Sequence, residues 1–117
     1  MIEKTSGSSA PHAIALSTGS EPTTELMKES QIERAVCNYA SSVGMLAYKF
    51  TSPGRRGVPD RLFITDNGRC FFIEFKTPTG KLSPLQINEH KILRQRGVDV
   101  YTVYDVVQGK DVIDGHV

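Results

Sequence analysis

The chain has 117 residues, with 14 Lys or Arg, 13 Asp or Glu and a formal net charge of +1, which excludes a strongly basic or strongly acidic protein. A chain of this length forms one domain at most, and it contains neither an apolar run long enough to span a membrane nor the basic and apolar stretches of a signal peptide. Cys37 and Cys70 lack metal-ligand spacing and cannot build a disulfide framework, so we expect a globular protein of the reducing cytoplasm.

The N-terminal segment is predicted to be a flexible leader. Residues 1–23 are rich in Ser, Thr, Gly and Pro and show no sustained hydrophobic periodicity. We therefore expect the folded domain to occupy residues 24–117.

The first element of that domain is predicted to be a helix that begins near Thr24 or at Ser30. Ser30 and Glu33 have the spacing of a capping box, and apolar residues recur at helical spacing over residues 32–43. Gly44 is expected to end the helix. Glu33 has two interpretations: it caps the helix without a further function, or it points inward as a carboxylate that could reach a bound metal.

Three strands are predicted to follow as a meander. The first covers residues 46–50, and a basic loop over residues 51–57 separates it from a hairpin. Residues 61–65 and 70–76 are rich in β-branched and aromatic types and form the two strands of that hairpin. The turn between them is Asp-Asn-Gly at residues 66–68.

The hairpin register depends on which of two turns forms. A two-residue turn over residues 67–68 would send Asp60 and Glu74 to opposite faces of the sheet, because a one-residue slip reverses every side chain. A three-residue loop, also common in hairpins, pairs Thr65 with Arg69 and sets Asp60 directly opposite Glu74. We predict the second register, because it alone brings the two carboxylates together.

Paired carboxylates on one strand face indicate a metal site. Asp60 and Glu74 supply the oxygen ligands that hard divalent cations prefer, and Lys76 projects from the same face as Glu74 because strand side chains alternate with period 2. Without a cation the two carboxylates would repel. The alternative interpretation is an ordinary solvated strand face.

A second helix is predicted to begin with Ser83 as its cap and Pro84 at its first position, and to end at Gly97. Gln86 falls in its first turn, close to the end of the strand that carries Glu74. His90 lies one turn further and is predicted to be a surface histidine, with phosphate contact as the alternative. The buried stripe of this helix is predicted to consist of Leu85, Ile92, Leu93 and the aliphatic part of Glu89.

Residues 98–104 alternate apolar and polar types and are predicted to be the last strand. Asp105 could cap a short terminal helix that runs through residue 113, although Gly109 and Gly115 weigh against it. The element order αβββαβ predicts a mixed sheet flanked by helices, in the α/β or α+β class.

Basic residues are concentrated in the middle of the chain. Residues 49–96 contain ten Lys or Arg and four Asp or Glu, and two of those four are the predicted metal ligands. A basic surface around an acidic pocket suits a polyanionic substrate, whereas a mixed solvated surface is the alternative.

Separated blocks of this sequence, in the same order, resemble the VRR-NUC family, the virus-type replication-repair nucleases within the PD-(D/E)xK superfamily. Residues 48–60 resemble the family's second motif, and residues 72–76 resemble its Glu-x-Lys strand. Residues 80–86, followed by His90, are similar to its downstream Gln motif. The resemblance covers roughly residues 28–107.

The resemblance implies a restriction-endonuclease-like fold and magnesium-dependent cleavage of DNA phosphodiesters, with manganese as a substitute ion. Asp60 and Glu74 would be the metal ligands, with the carbonyl of Phe75 as a third. Lys76 is expected to orient water and steady the phosphate rather than act as a general base, because its ordinary pKa of ~10.4 would have to fall far. Glu33 is expected to bind a metal-coordinated water or a second ion. The implied catalytic set is Glu33, Asp60, Glu74, Lys76 and Gln86.

The resemblance also implies partners. Family members of this size resemble Holliday-junction resolvases, so we expect a homodimer that acts on four-way junctions or other branched DNA in phage or bacterial replication and repair. The alternative function is a non-catalytic DNA-binding or assembly module on the same scaffold. Contacts to backbone phosphates, which position DNA without reading its sequence, are expected from Arg55, Arg56, Arg61 and Lys81.

Overall fold

The structure is a computed structural model that describes residues 27–117. The predicted leader, residues 1–23, and the predicted helix start at Thr24 lie outside the described residues. The elements in chain order are α1 (Glu29–Ser42), β1 (Leu46–Lys49), β2 (Arg61–Ile64), β3 (Cys70–Phe75), α2 (Pro84–Gln95), β4 (Val100–Val103) and α3 (Val106–Asp114).

The four strands form one mixed sheet in the order β1-β2-β3-β4. The first three strands are an antiparallel meander, and β4 runs parallel to β3 after the chain crosses through α2. This confirms the predicted α+β class and the predicted crossover helix. The terminal helix is confirmed as well, because the side chain of Asp105 accepts a hydrogen bond from the Gln108 N–H at 2.7 Å.

The start of α1 differs from the prediction. Lys28 is the N-cap, and its N–H donates to the side-chain oxygen of Gln31 at 2.8 Å. The predicted capping box of Ser30 and Glu33 is therefore wrong, since both residues lie inside the helix. The predicted end is confirmed: Gly44 adopts φ +88°, a conformation that side chains other than hydrogen disfavour.

The hairpin has the predicted register. The Thr65 N–H donates to the Arg69 carbonyl at 2.8 Å, and Gly68 takes the left-handed conformation with φ +87°. Arg61 pairs with Ile73 in the ladder, so Asp60, one residue earlier, stands opposite Glu74. A two-residue turn is excluded by this pairing.

The hydrophobic core lies between the sheet and the helices α1 and α3. A close approach of the two helices explains Gly109: a Cβ built on it would stand 2.3 Å from a Val36 methyl carbon. Gly109, which weighed against the prediction of the terminal helix, is thus required by the packing of α3 on α1. Among residues 27–117, no helix combines the length and apolarity needed to cross a membrane. The main core side chains are Ile32, Val36, Phe63, Phe71, Ile73, Phe75, Val103 and Ile113.

Helix α2 begins as predicted but buries a different face. Ser83 Oγ accepts a hydrogen bond from the Gln86 N–H, which confirms the cap. Leu85, however, is 46% exposed, whereas Glu89 and His90 are buried. The predicted apolar stripe is wrong at Leu85 because the first turns of α2 pack on the loop between β1 and β2, and Arg55 of that loop pairs with Glu89.

Candidate functional site

The site lies where the ladder between β2 and β3 ends. Asp60 is fixed there by two hydrogen bonds: its carbonyl accepts from the Phe50 N–H at 2.8 Å, and its Oδ2 accepts from the Phe75 N–H at 2.9 Å. Continuing the register past Asp60 places Pro59 opposite Phe75. A proline has no N–H to donate, so the normal exchange of two backbone bonds in such a pair cannot form.

This break leaves the Phe75 carbonyl available. The N–H and C=O of one strand residue point to the same side, and the Phe75 N–H points to Asp60. The Phe75 carbonyl therefore faces Asp60 as well, without a ladder donor from Pro59. The role of this carbonyl as a third oxygen ligand stays a prediction.

Glu74 is buried, and within residues 27–117 only one of its two carboxylate oxygens has a hydrogen-bond partner. Its side chain is 3% exposed; Oε2 accepts a hydrogen bond from Gln86 Nε2 at 2.9 Å and lies 3.9 Å from Lys76 Nζ. Within residues 27–117, the other oxygen, Oε1, has no hydrogen-bond partner. A buried carboxylate oxygen without a partner is costly, and a bound cation would satisfy it.

The electrostatic environment of Glu74 also favours a bound cation. Burial first, and then the neighbouring Asp60 carboxylate, raise the pKa of Glu74 to about 8, while Lys76 acts in the opposite direction. Two close carboxylates cannot both stay ionised without a compensating positive charge. A divalent cation would supply that charge and return Glu74 to its ionised form.

The carboxylates of α1 are placed differently from the prediction. Glu33 Oε2 accepts from Arg61 Nε at 2.5 Å and lies 3.5 Å from Lys49 Nζ, so its side chain is committed to an ion-pair cluster. Glu29, one turn earlier, is influenced by the charge of the site. Partial burial and then the charge of Asp60 raise the pKa of Glu29. Glu29 and Glu33 are four residues apart and therefore lie on one helix face. This spacing is the sequence signal that could have identified Glu29.

No group of three or more His, Cys, Asp or Glu within the described range 27–117 is arranged to hold a metal by side chains alone. The oxygen atoms that could hold an ion here are those of two carboxylates, Asp60 and Glu74, and the backbone carbonyl of Phe75. Such an all-oxygen set fits a hard divalent cation that keeps several waters, as Mg²⁺ does.

The four predicted phosphate-binding residues divide into two pairs. Arg55 and Arg61 are committed to carboxylates: Arg55 makes a bidentate contact with Glu89, and Arg61 binds Glu33. Arg56 and Lys81 are exposed.

His90 is not the surface residue that the sequence predicted. Its ring is fully buried, and burial lowers its pKa. Neither ring nitrogen has a hydrogen-bond partner in the part of the chain that the structure describes. Its neutral ring therefore acts as packing beneath the loop that contains Gly57.

Comparison with known proteins places this site in a family. The sequence model of the VRR-NUC domain matches residues 20–107. The chain belongs to the VRR-NUC family. It is also similar to a phage protein named "Putative nuclease p44", from Acyrthosiphon pisum secondary endosymbiont phage 1, at 45% identity over 75 residues, which cover 64% of this chain and 81% of that protein.

A solved structure of a VRR-NUC domain shares the fold. It is 30% identical to this chain, with a TM-score of 0.71, and the match covers 78% of this chain and 99% of that domain. This confirms the family resemblance seen in the sequence. The family and the named relative together support a nuclease.

Proposed function

We propose that this VRR-NUC protein is a metal-dependent endonuclease that hydrolyses DNA phosphodiester bonds. The observation that supports it best concerns Glu74, which stands across the hairpin from Asp60: its buried Oε1 has no hydrogen-bond partner within residues 27–117. A scaffold that only bound DNA would gain nothing from keeping two carboxylates close together in a buried position.

The residues fit a divalent cation, Mg²⁺ with Mn²⁺ as a substitute. Asp60, Glu74 and the Phe75 carbonyl would hold it. When bound, such an ion stabilises the negative charge that develops on the phosphate oxygens and acidifies a coordinated water.

The chain's own groups hold this arrangement in place. The Phe75 N–H fixes one oxygen of Asp60, and the Gln86 amide fixes one oxygen of Glu74. We therefore assign Gln86, a member of the implied catalytic set, to orienting Glu74. Lys76, whose side chain is 17% exposed and whose Nζ lies 3.9 Å from Glu74 Oε2, would steady the scissile phosphate and its attacking water.

The carboxylate from α1 is assigned to Glu29. Its proximity to the charge of Asp60 suits the role that the sequence gave to Glu33, binding a metal-coordinated water or a second ion. Glu33 would instead hold Arg61 and Lys49 on the core-facing side of the sheet, where α1 packs. Arg61 is accordingly the weakest of the predicted DNA contacts.

The substrate is proposed to be branched DNA, including four-way junctions, cut by a homodimer in the cytoplasm of a bacterial or phage-infected cell. The family resemblance suggests the branched substrate and the homodimer, and the phage source of the similar nuclease supports a phage or bacterial setting. The DNA backbone would be contacted mainly by Arg56 and Lys81, whose exposed side chains are free to approach it. No base-reading helix is needed for such recognition by shape.

The test is to incubate the pure protein with labelled four-way junctions, flaps and linear duplexes, with Mg²⁺ or with EDTA. We expect cleavage only with the divalent ion, and faster cleavage of branched substrates. Lys76→Ala should abolish cutting while keeping most of the DNA affinity. DNA binding without any cleavage by the unaltered protein would instead support the non-catalytic module, and a fully active Lys76→Ala would refute the assigned role.

A further inference from the structure

The loop between β1 and β2 is closed at its base and tied at its tip. At the base, the Phe50 N–H donates to the Asp60 carbonyl at 2.8 Å, which makes residues 51–59 a compact loop with adjacent ends. At the tip, Arg55 Nε donates to both carboxylate oxygens of Glu89, at 3.1 and 3.0 Å, and Nη2 donates to Oε1 at 2.8 Å.

The two partners of this contact are unequally exposed. The Glu89 side chain is 8% exposed, whereas that of Arg55 is 57% exposed. The contact with Arg55 lowers the pKa of Glu89, so the carboxylate is ionised when the nuclease would act. A buried carboxylate that faces a loop arginine is positioned to hold that loop, and the proposed chemistry makes no use of it.

Two neighbouring contacts seat the same loop on α2. Gly57 has φ +86°, and a Cβ built on it would stand 2.5 Å from the Leu85 carbonyl oxygen, so the loop backbone rests directly on the first turn of the helix. The buried ring of His90 lies close to the backbone of Gly57. The helix turns that receive the loop also carry Gln86, which holds Glu74.

We propose that Glu89 is a positioning residue that acts through Arg55. Their ion pair fixes the loop against α2, so that Arg56 is presented to a DNA phosphate and Asp60 stays opposite Glu74. Arg55 is then the tie between loop and helix, and it is not the principal phosphate ligand. This inference rests on the proposed function, since it concerns how the same site receives DNA.

The two roles of Arg55 predict opposite effects of two substitutions. If Glu89 only restrains a phosphate-binding Arg55, Glu89→Gln frees the guanidinium and DNA binding stays equal or becomes tighter. In that case Arg55→Lys, which keeps the charge, also retains binding. If the pair is a tie, both variants loosen the loop, because neither Gln nor Lys reproduces the charged bidentate contact.

The experiment measures binding of a fluorescently labelled linear duplex in EDTA, so that cleavage does not interfere. We expect Glu89→Gln and Arg55→Lys each to weaken binding by about fivefold, the scale of one partly exposed ion pair. Amide hydrogen exchange of residues 51–58 should accelerate in both variants while that of β3 stays unchanged. Tyr39→Phe, which removes a hydrogen bond between α1 and α3 far from the loop, is the matched control and should leave both readouts unchanged.

Each outcome decides the inference. Wild-type affinity together with wild-type exchange in either variant overturns the positioning role and leaves the proposed nuclease function intact. A wild-type protein that binds no duplex overturns the positioning role, whereas the nuclease function is decided separately by the cleavage test with Mg²⁺ and branched DNA. Arg55 is more than half exposed, so Arg55→Lys provides the test even if Glu89→Gln does not fold.

Discussion

Replacing Glu74 with Gln should stabilise the metal-free protein at alkaline pH. The substitution keeps the shape of the side chain and an oxygen that can accept the Gln86 amide hydrogen bond. It removes a carboxyl group that is buried beside Asp60 and whose pKa is raised to about 8. The folded state therefore binds this proton more tightly than the unfolded state does.

The size of the effect follows from proton linkage. A group with a raised pKa contributes its stability fully below the unfolded pKa of 4.5, and that contribution is lost as the pH rises towards the folded value of about 8. With these values, proton linkage lowers the unfolding free energy of the wild type by about 2 kcal/mol at pH 6 and by about 4 kcal/mol at pH 8, relative to its value well below pH 4.5. Glu74→Gln should recover most of this, which corresponds to a rise in Tm of more than about 10 °C at pH 8 for a domain of this size.

The assay is thermal and urea unfolding in EDTA at these two pH values. The variant should exceed the wild type at both, and by more at the higher pH. Asp66→Asn, in the exposed hairpin turn, removes a carboxylate elsewhere and should show no such difference. Adding Mg²⁺ should stabilise the wild type and leave Glu74→Gln unchanged. A variant that is equal to or less stable than the wild type at pH 8 in EDTA would refute the reasoning about a buried, uncompensated carboxylate.

Three further predictions concern other parts of the molecule. In a cleavage assay, Glu29→Gln should lower the rate strongly, whereas Glu33→Gln should lower chiefly the unfolding free energy; the reverse pattern would return the helix role to Glu33. Burial lowers the pKa of His116, so its neutral ring contributes stability that is present above about pH 6.5 and lost as the pH falls through the folded pKa. His116→Phe keeps the ring but cannot be protonated, so urea unfolding should show a smaller loss than the wild type between pH 7 and pH 5, and an equal loss would contradict this. Gly109→Ala should destabilise the fold by about 1–3 kcal/mol through overpacking against Val36; adding Val36→Ala should recover part of it in thermal unfolding, and purely additive losses would contradict the clash.

The hairpin could be predicted from sequence because its determinants are local. The Asp-Asn-Gly turn and the strands on either side of it indicate a hairpin, but they allow two registers. The requirement that Asp60 meet Glu74 selected the register that the structure has. The cap of α2 was predictable for the same reason, since Ser83 and Pro84 adjoin the helix they start.

The contacts that could not be predicted from the sequence join residues that are distant in the chain. Glu33 binds Arg61, 28 residues away, and Glu89 binds Arg55, 34 residues away. Periodicity shows that a residue lies on a helix face, but it does not show which loop covers that face. An exposed Leu85 beside a buried Glu89 follows from such a partner, and only the folded arrangement reveals it.

Pro59 affects the proposed metal site because it has no backbone N–H. Any other residue at position 59 could donate its backbone N–H to the Phe75 carbonyl and add one more hydrogen-bonded pair to the ladder between β2 and β3. That oxygen would then be consumed by the backbone. Because the ladder ends there, a lone pair of the Phe75 carbonyl stays unused, so the ion affinity of the proposed metal site would depend partly on a residue that is not one of its ligands.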